Sequence, residues 1–531
     1  MLTYADIPRR FNLTRYFLER NLEEGRGQRV ALYAGGRAYT FAELSGLTNR
    51  IGHVLRELGV EHEDRVLLAL ADGVEFVASW FAVVKIGAVS AEVYTFLQPK
   101  DYAYYLNYTR ARVVVVDATT REKVAAVRAE CPFLRHVLVV GLSAGGSLSA
   151  AGPPPGPGEV DFDRLVAQAP EALEAADTSK DDVALWKFTT GSTGAPKAAV
   201  HAHHNPLINF HGYGLGVLGL TQDDIVLPVP KLFFGYARDL TALYNLGVGG
   251  AGVVFPERST PERLFELIAR HRPTILVQVP TMLNAMADHP DADRHDLRCL
   301  RLCTSAGEAL PAEIYHKWRR RFGGEVLDGI GSSEVYHIYI SNRPGRVRPG
   351  SVGELVPGYQ AKVCDPDGRP LPTGEVGELW AGGESTALLY WDDHEKTKHT
   401  FHGDWVRTGD LFRQDADGFF WYQGRADDLL KVGGIWVAPL EIEGCLVEHE
   451  AVAECAVVGY EEAGLVLPRA YVVLRAGRAG GPELAKALQE FVRARLSPHK
   501  YPRDVRFIES MPRTPSGKVD RKALRAPDKR G

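Results

Sequence analysis

Nine consecutive residues form the strongest candidate for a phosphate-binding loop in this chain. They read Thr189-Thr190-Gly191-Ser192-Thr193-Gly194-Ala195-Pro196-Lys197. The glycines let the backbone approach an anion closely, and the hydroxyls and backbone N–H groups can contact phosphate oxygens. The run is not the Walker pattern, because Pro196 precedes the lysine and no Ser or Thr follows it. A flexible surface turn is the alternative that two glycines alone would favour, but the complete run favours phosphate binding.

This run resembles the ATP-phosphate loop of the adenylate-forming superfamily, which contains acyl-CoA synthetases, luciferases and peptide-synthetase adenylation domains. Other segments resemble the further signatures of that superfamily in the same order, so the resemblance covers nearly the whole chain. It implies that ATP is bound by Thr189, Thr190, Gly191, Ser192, Thr193, Gly194 and Lys197.

A second segment, Asp328-Gly329-Ile330-Gly331-Ser332-Ser333-Glu334, resembles the second nucleotide motif of the superfamily. The resemblance implies that Asp328, Gly329 and Ile330 contact the nucleotide. Ser333 then contacts the α-phosphate in place of the usual Thr, and Glu334 helps to hold Mg²⁺, a hard cation that prefers oxygen ligands. Taken alone, Glu334 would be interpreted as a solvated carboxylate.

Two further motifs follow closely, Thr408-Gly409-Asp410 and Gly424-Arg425-Ala426-Asp427-Asp428. By resemblance, Asp410 binds the ribose hydroxyls, which suits a carboxylate that accepts two hydrogen bonds from a vicinal diol. Arg425 lies near the ribose, and Asp427 is the pivot of a hinge, a place where a few residues absorb large backbone rotations. Gly433 and Gly434 after the hinge let the pantetheine arm of coenzyme A pass close to the backbone.

The last motif is Pro512-Arg513-Thr514-Pro515-Ser516-Gly517-Lys518. The resemblance implies that Lys518 bridges the substrate carboxylate and the α-phosphate of ATP. A cation is needed there because two anions meet while charge builds on the phosphoryl group. Without the upstream motifs, an exposed lysine in a basic tail would be the better interpretation. The predicted catalytic residues are therefore Lys518, Glu334 and Lys197.

Two segments resemble the benzoate-CoA ligase branch, namely Lys231 to Tyr236 and Asp328 to Tyr359, and Ser305 to Glu308 also fits. Aromatic and small side chains together can make a flat slot for a ring. The resemblance implies an acyl pocket lined by Gly235, Tyr236, Ala306, Gly307, Gly331, His337 and Ile338.

The first of these segments departs from the branch, in which an Ala-Tyr pair is followed by glycines. Here Gly235 replaces the alanine, and Arg238 and Asp239 introduce charges that we expect to pair with each other. Unsubstituted benzoate, a substituted benzoate and a medium-chain fatty acid therefore stay open as substrates. Peptide-synthetase domains usually hold the α-amino group with an Asp at the Gly235 position, so amino-acid activation is disfavoured.

The expected activity is that of an ATP-dependent aryl- or acyl-CoA ligase, which forms acyl-CoA, AMP and pyrophosphate through an acyl-adenylate. ATP, Mg²⁺ and coenzyme A as co-substrate follow from that resemblance, and so does a possible homodimer. A stand-alone enzyme that loads a carrier protein is the alternative. A binding protein that has lost catalysis is a second alternative, which the complete set of motif residues disfavours.

The length of 531 residues exceeds the roughly 250–300 at which a single core stops growing. Short β-branched runs alternate with amphipathic stretches, which predicts an α/β fold with largely parallel sheets. The resemblance implies a large N-terminal domain of packed sheets, flanking helices and a small β-barrel-like part, and a small mobile α+β C-terminal domain. The predicted limits are 1–424 for the adenylation domain, 425–428 for the hinge and 429–531 for the mobile domain.

A net charge of −5 and a pI near 6.4 give no sign of a nucleic-acid partner. No apolar run approaches the roughly 20 residues that span a bilayer, and the first residues lack a signal core. We therefore expect a soluble, cytoplasmic protein without a membrane partner, whose six cysteines are reduced thiols.

Overall fold

The computed structural model describes residues 2–142, 156, 158–189, 195–426, 428, 430–432, 435–462, 465–497, 500–513 and 519–525. Within these ranges the strands form five sheets. Three of them lie before residue 426, and the other two follow it. None of the described helices is both long and apolar enough to cross a membrane.

The first sheet has eight strands, of which six are parallel. Its strand Val113–Val116 is buried at every residue, as expected when helices cover both faces of a parallel sheet. Two antiparallel strands extend one edge. In spatial order the strands are Leu389–Tyr390, Lys197–Ala202, Val183–Thr189, Val89–Glu92, Arg65–Ala69, Val113–Val116, His136–Val139 and Glu159–Asp161.

The second sheet has nine strands, and six of these are also parallel. Antiparallel strands close both of its edges. In spatial order the strands are Glu354–Leu355, Ile338–Ser341, Val326–Gly331, Leu302–Ser305, Ile275–Gln278, Ile225–Pro228, Ala251–Val254, Val30–Ala34 and Arg37–Thr40. The carboxyl ends of parallel strands are where open α/β sheets bind ligands.

The third sheet is antiparallel and corresponds to the small β-barrel-like part. Its strands are Tyr359–Cys364, Val376–Gly383, Phe401–His402, Trp405–Gln414 and Phe420–Arg425. The chain then forms a hairpin of Leu430–Val432 and Ile435–Val437 and a three-stranded sheet of Val452–Glu462, Leu465–Leu474 and Asp504–Phe507. This last part has its own buried core, so the predicted fold class is confirmed. The domain limits stay a prediction.

Most helices cover the parallel sheets, and several begin at the residues that favour a helix start. Thr40 caps the helix that follows it through a capping box with Glu43. The helix Pro261–His271 has Thr260 as its cap and proline at its first position. The α-helices are Arg20–Glu23, Phe41–Glu57, Val74–Lys85, Pro99–Thr109, Arg121–Ala125, Phe162–Gln168, His204–Asn209, Gly235–Arg238, Asn245–Gly247, Pro261–His271, Pro280–Asp288, Ala312–Phe322, His394–Thr400, Pro439–Val447, Pro482–Arg493 and Arg521–Arg525.

The described part of the chain contains three π-helical segments, Arg15–Glu19, Phe210–Leu215 and Asp239–Tyr244. Such segments are rare and occur frequently at functional sites. Asp239–Tyr244 continues the helix that begins at Gly235, and it packs against strands Ile225–Pro228 and Ala251–Val254 of the second sheet. Short 3₁₀ turns occur at Tyr4–Asp6, Arg128–Glu130 and Ala292–Arg294.

Candidate active site

The two ends of the phosphate loop lie opposite each other on neighbouring strands. Thr189 ends the strand Val183–Thr189, Lys197 begins the strand Lys197–Ala202, and the two residues are paired across the antiparallel ladder. Thr190, Gly191, Ser192, Thr193 and Gly194 lie outside the described residues. Burial lowers the pKa of Lys197, and the nearby carboxylate of Glu334 opposes this effect.

Tyr390 connects Lys197 with Glu334. The Nζ atom of Lys197 lies 4.2 Å from the centroid of the Tyr390 ring, and the Tyr390 hydroxyl donates to Oε1 of Glu334 at 2.5 Å. Tyr390 reaches this place because its short strand pairs with the strand of Lys197. Tyr390 could not be predicted from the sequence, since nothing in the surrounding residues distinguishes it from a core tyrosine.

The second nucleotide motif lies at the carboxyl end of strand Val326–Gly331 in the second sheet. Asp328 is buried beside Ser305 of the neighbouring parallel strand, and burial raises the pKa of its carboxyl group to about 8. A Cβ atom on Gly329 would lie 2.8 Å from the carbonyl oxygen of Ile340, and one on Gly331 would lie 2.5 Å from that of His337. A side chain at either position would collide with the antiparallel strand Ile338–Ser341 or the residue before it, so glycine is required at both.

Ile330 and Ser333 complete this motif. Ile330 pairs with Ile340 in the antiparallel ladder. The carbonyl oxygen of Ser333 accepts a hydrogen bond from Nε2 of the buried His201 at 2.7 Å. Burial lowers the pKa of His201 to about 3, so this histidine is a neutral structural donor.

Asp410 and Arg425 lie opposite each other in the third sheet. Nη1 of Arg425 is 3.2 Å from Oδ1 of Asp410 and also donates to the carbonyl oxygen of Thr408 at 3.1 Å. Gly409, which lies between Thr408 and Asp410 in the chain, has a φ of +72°, a conformation that favours glycine. The structure thus brings the predicted ribose-binding residues together on adjacent strands.

Most residues predicted to line the acyl pocket lie around the carboxyl ends of strands in the second sheet. The Tyr236 hydroxyl is 2.6 Å from Oγ1 of Thr304, and the Tyr236 carbonyl oxygen is 3.3 Å from Nε2 of His337. Ala306 follows strand Leu302–Ser305 directly and is buried, as is Ile338. Gly307 has a φ of +91°, and no atom lies within 4 Å of where its Cβ would be.

Four buried charged side chains form a cluster beside this pocket. The guanidinium of Arg238 donates to Oδ1 of Asp239 through Nε and Nη2, at 3.0 and 2.7 Å, so the expected pairing is confirmed. Nη1 of Arg238 lies 2.7 Å from Oε2 of Glu92. Nζ of Lys187 donates to Oδ2 of Asp239 at 2.6 Å. We call Glu92, Lys187, Arg238 and Asp239 the charge cluster.

The charge cluster is neutral overall when all four groups are ionised. Burial alone would raise the pKa of Asp239, but Arg238 and Lys187 outweigh it and hold that pKa at about 2. Burial lowers the pKa of Lys187 to about 8, so its ammonium persists at pH 7. Burial raises the pKa of Glu92, and Arg238 opposes this effect. Arg238 and Asp239 were expected to pair, whereas Glu92 and Lys187 could not be predicted because they lie far from them in the chain.

Gly235 gives Lys187 the room to reach its partners. A Cβ atom on Gly235 would lie 2.9 Å from Nζ and 3.0 Å from Cε of Lys187. The same Nζ donates to the carbonyl oxygen of Tyr336 at 2.6 Å and lies 3.6 Å from the centroid of the Tyr336 ring. Gly235 is therefore sterically matched to Lys187.

The remaining predicted residues, Asp427, Gly433, Gly434 and Lys518, lie outside the described residues. The start of the Lys518 motif is described and contacts the N-terminal part. Arg513 lies 3.7 Å from Oε1 of Glu308 and donates to Oε1 of Glu454 at 2.6 Å. Glu308 directly follows Gly307, so the Lys518 motif begins close to the predicted acyl pocket.

Comparisons with known proteins agree with this geometry. Residues 18–391 match the AMP-binding enzyme family, and residues 441–518 match the AMP-binding enzyme C-terminal domain. The chain belongs to the AMP-binding enzyme family. This confirms the predicted membership of the adenylate-forming superfamily.

Individual relatives align with this family member over almost their full length. The benzoate–CoA ligase of Thauera aromatica is 40% identical, covering 98% of this chain and 97% of that protein. The 4-hydroxybenzoate–CoA/benzoate–CoA ligase of Rhodopseudomonas palustris is 36% identical over 97% of this chain and 94% of that protein. The crystal structure of the anthranilate CoA ligase AuaEII in complex with anthranoyl-AMP is 37% identical, with a TM-score of 0.92 and coverage of 98% of both chains. These matches confirm the predicted enzyme class, an AMP-forming acid–thiol ligase, and its likeness to the benzoate-CoA ligase branch.

The match between Gly235 and Lys187 is testable by a double-mutant cycle. Gly235→Ala should lower the free energy of unfolding by roughly 1–3 kcal/mol, because the new methyl group displaces Nζ of Lys187 from its partners. Lys187→Leu removes Nζ and Cε and ends at the δ carbon position, which lies 3.4 Å from where the Cβ of residue 235 would be. Thermal unfolding of the four proteins measures the coupling.

In a protein that already carries Lys187→Leu, Gly235→Ala should lower the free energy of unfolding much less than it does in the unsubstituted protein. Lys187→Leu is itself destabilising because it leaves the charge cluster with a net negative charge. Strictly additive effects of the two substitutions would contradict the proposed steric match.

Proposed function

We propose that this protein is an ATP-dependent aryl-CoA ligase that converts benzoate or a substituted benzoate to its CoA thioester. The supporting observation is the position of one aromatic-lined segment next to the predicted nucleotide residues. His337, with the rings of Tyr213, Tyr236 and Tyr244 at centroid distances of 5.4–5.7 Å, lies three residues after Glu334. A ring bound beside these side chains would have its carboxylate near the phosphate-binding residues.

In the first half-reaction, one carboxylate oxygen of the acid attacks the α-phosphorus of ATP and pyrophosphate leaves. Asp410 would accept hydrogen bonds from the ribose hydroxyls while Arg425, 3.2 Å away, supports that carboxylate. Lys197 and the loop of residues 189–194 would contact the departing phosphates, and Lys518 would bridge the two anions as charge builds. Ser333 would hold the α-phosphate.

Glu334 is a suitable ligand for Mg²⁺. Its Oε1 accepts a hydrogen bond from the Tyr390 hydroxyl, which orients the carboxylate. A single protein carboxylate together with phosphate oxygens and water is a usual environment for Mg²⁺. When bound, the ion would neutralise phosphate charge during the transfer.

In the second half-reaction, the thiol sulfur of coenzyme A attacks the carbonyl carbon of the acyl-adenylate, and AMP leaves. We propose that residues 1–424 form the adenylation domain and that residues 429–531 rotate about a hinge at 425–428 between the two steps, with Asp427 as pivot. Gly433 and Gly434 would then let the pantetheine arm pass. Gly235, Tyr236, Ala306, Gly307, Gly331, His337 and Ile338 would line the acid pocket. A homodimer and a cytoplasmic location stay predictions.

The substrate class is tested by coenzyme A-dependent AMP formation with benzoate, hydroxybenzoates, aminobenzoates, phenylacetate and medium-chain fatty acids. We expect the highest kcat/KM for an aromatic acid, because the pocket is lined by rings and small residues. Turnover of aliphatic acids alone would contradict the aromatic substrate. Adenylate formation without use of coenzyme A would instead indicate an enzyme that loads a carrier protein.

Tyr390→Phe tests the link between Lys197 and Glu334. The substitution keeps the ring next to Lys197 but removes the hydroxyl that orients Glu334, so kcat/KM for Mg-ATP should fall roughly tenfold, equivalent to about 1.4 kcal/mol. Pyrophosphate release at varied Mg-ATP measures this change.

Tyr108→Phe is the matched control for this experiment. The Tyr108 hydroxyl donates to the carbonyl oxygen of Trp391 at 2.6 Å and accepts from the backbone N–H of Ala198 at 3.3 Å. It therefore bonds to the backbone beside Tyr390 and Lys197 and not to Glu334. The control should leave kcat/KM for Mg-ATP close to that of the unsubstituted protein. Equal losses in both variants would show that Tyr390 acts only through local packing.

A further inference from the structure

His337 carries a buried hydrogen-bond acceptor that has no partner among the described residues. The side chain is 4% exposed, and its Nδ1 atom lacks a hydrogen-bond partner there. Buried polar atoms in native proteins are nearly always paired, so an unpaired one requires an explanation. His337 is itself a residue of the predicted acid pocket, and its ring packs against Tyr236 of that pocket and against Tyr213 and Tyr244.

The protonation of His337 follows from its other ring nitrogen. Nε2 lies 3.3 Å from the carbonyl oxygen of Tyr236, which can only accept, so Nε2 carries the proton. Burial lowers the pKa of the imidazole to about 3, so the ring is neutral at pH 7. Nδ1 therefore bears a lone pair. It is directed away from the Tyr236 carbonyl, because the two ring nitrogens point in widely different directions.

The charges near His337 are already paired within the protein. Asp239 is held by Arg238 and Lys187, and Lys187 has Asp239, the Tyr336 carbonyl and the Tyr336 ring as neighbours. The cluster is neutral, so it provides no net charge that would select an ionised ring substituent. A neutral substituent with an N–H or O–H group is what a bare imidazole nitrogen would bind.

We propose that Nδ1 of His337 accepts a hydrogen bond from a hydroxyl or amino substituent on the ring of the acid. This inference rests on the proposed function and narrows it to hydroxy- or aminobenzoates. His337 is then a specificity-determining residue. It rejects a methyl group in the same place because the acceptor would stay buried without a donor.

The test compares acids that differ only in hydrogen-bonding ability. Aminobenzoate, hydroxybenzoate and methylbenzoate are assayed at the ortho, meta and para positions, and kcat/KM is obtained from AMP release with coenzyme A. At one ring position the amino or hydroxy acid should exceed the methyl acid roughly tenfold or more. The ratio of kcat/KM between the two acids measures the preference even when the absolute rates are low.

Substitutions assign that ratio to Nδ1. His337→Phe keeps an aromatic ring without an acceptor and should reduce the ratio to about one. His337→Asn places an amide oxygen at the same number of bonds from Cα as Nδ1, so it should retain part of the preference. This variant also tests the role of Nδ1 if His337→Phe does not fold.

His203→Phe is the matched control. His203 is also fully buried, burial also lowers its pKa to about 3, and its Nε2 also lacks a partner among the described residues. Its Nδ1 accepts from the backbone N–H of Leu13, outside the predicted pocket. The selectivity ratio should be the same in this variant as in the unsubstituted protein.

Each outcome decides between the two proposals. Equal kcat/KM for methyl and amino or hydroxy acids at every position would overturn the role of Nδ1 and leave the ligase activity standing. A preference that survives in His337→Phe would also overturn it. No turnover of any aromatic acid would overturn the proposed function together with this inference.

Discussion

The neutral cluster of four buried charges is the interaction on which the arrangement of the site depends. Glu92 and Lys187 lie on adjacent parallel strands of the first sheet, while Arg238 and Asp239 lie on the helix that packs against the second sheet. Each charge alone would cost several kcal/mol to bury, whereas the four together satisfy one another. The cluster therefore fixes how the two sheets meet, and the predicted acid pocket lies at that junction.

The same cluster explains how the segment after Glu334 is held. Tyr336 has a φ of +78°, which is unfavourable for a residue with a side chain. Lys187 donates to the carbonyl oxygen of this residue, and His337 follows it directly. One lysine thus connects the charge cluster with the turn that carries Glu334 on one side and His337 on the other. The absence of a side chain at Gly235 leaves the space that this lysine occupies.

The sequence predicted the fold class and indicated candidate nucleotide residues, because both depend on short local patterns. The run from Thr189 to Lys197 and the motifs that contain Asp410 and Arg425 could be recognised in this way. Tyr390, Lys187 and Glu92 could not, since their roles arise only from contacts between distant strands. The pairing of Arg238 with Asp239 was predicted because the two residues are adjacent. Their buried partner Glu92, 146 positions before Arg238, gave no signal in the sequence.

The contact of Arg513 with Glu308 brings the beginning of the Lys518 motif to the edge of the predicted acid pocket. This arrangement fits the proposed first half-reaction, in which Lys518 must reach the carboxylate and the α-phosphate together. The carboxylate oxygen that attacks phosphorus becomes part of AMP, and it leaves with AMP when the thiol displaces AMP from the acyl carbon. The central claim is therefore a transfer of oxygen from the acid to AMP.

The most direct measurement of that claim follows the oxygen itself. The acid that the protein converts fastest is labelled with ¹⁸O in its carboxylate and incubated with ATP, Mg²⁺ and coenzyme A, and the products are analysed by mass spectrometry. The account predicts one labelled oxygen in each AMP and none in pyrophosphate. Unlabelled AMP, or label in pyrophosphate or phosphate, would contradict activation through an acyl-adenylate.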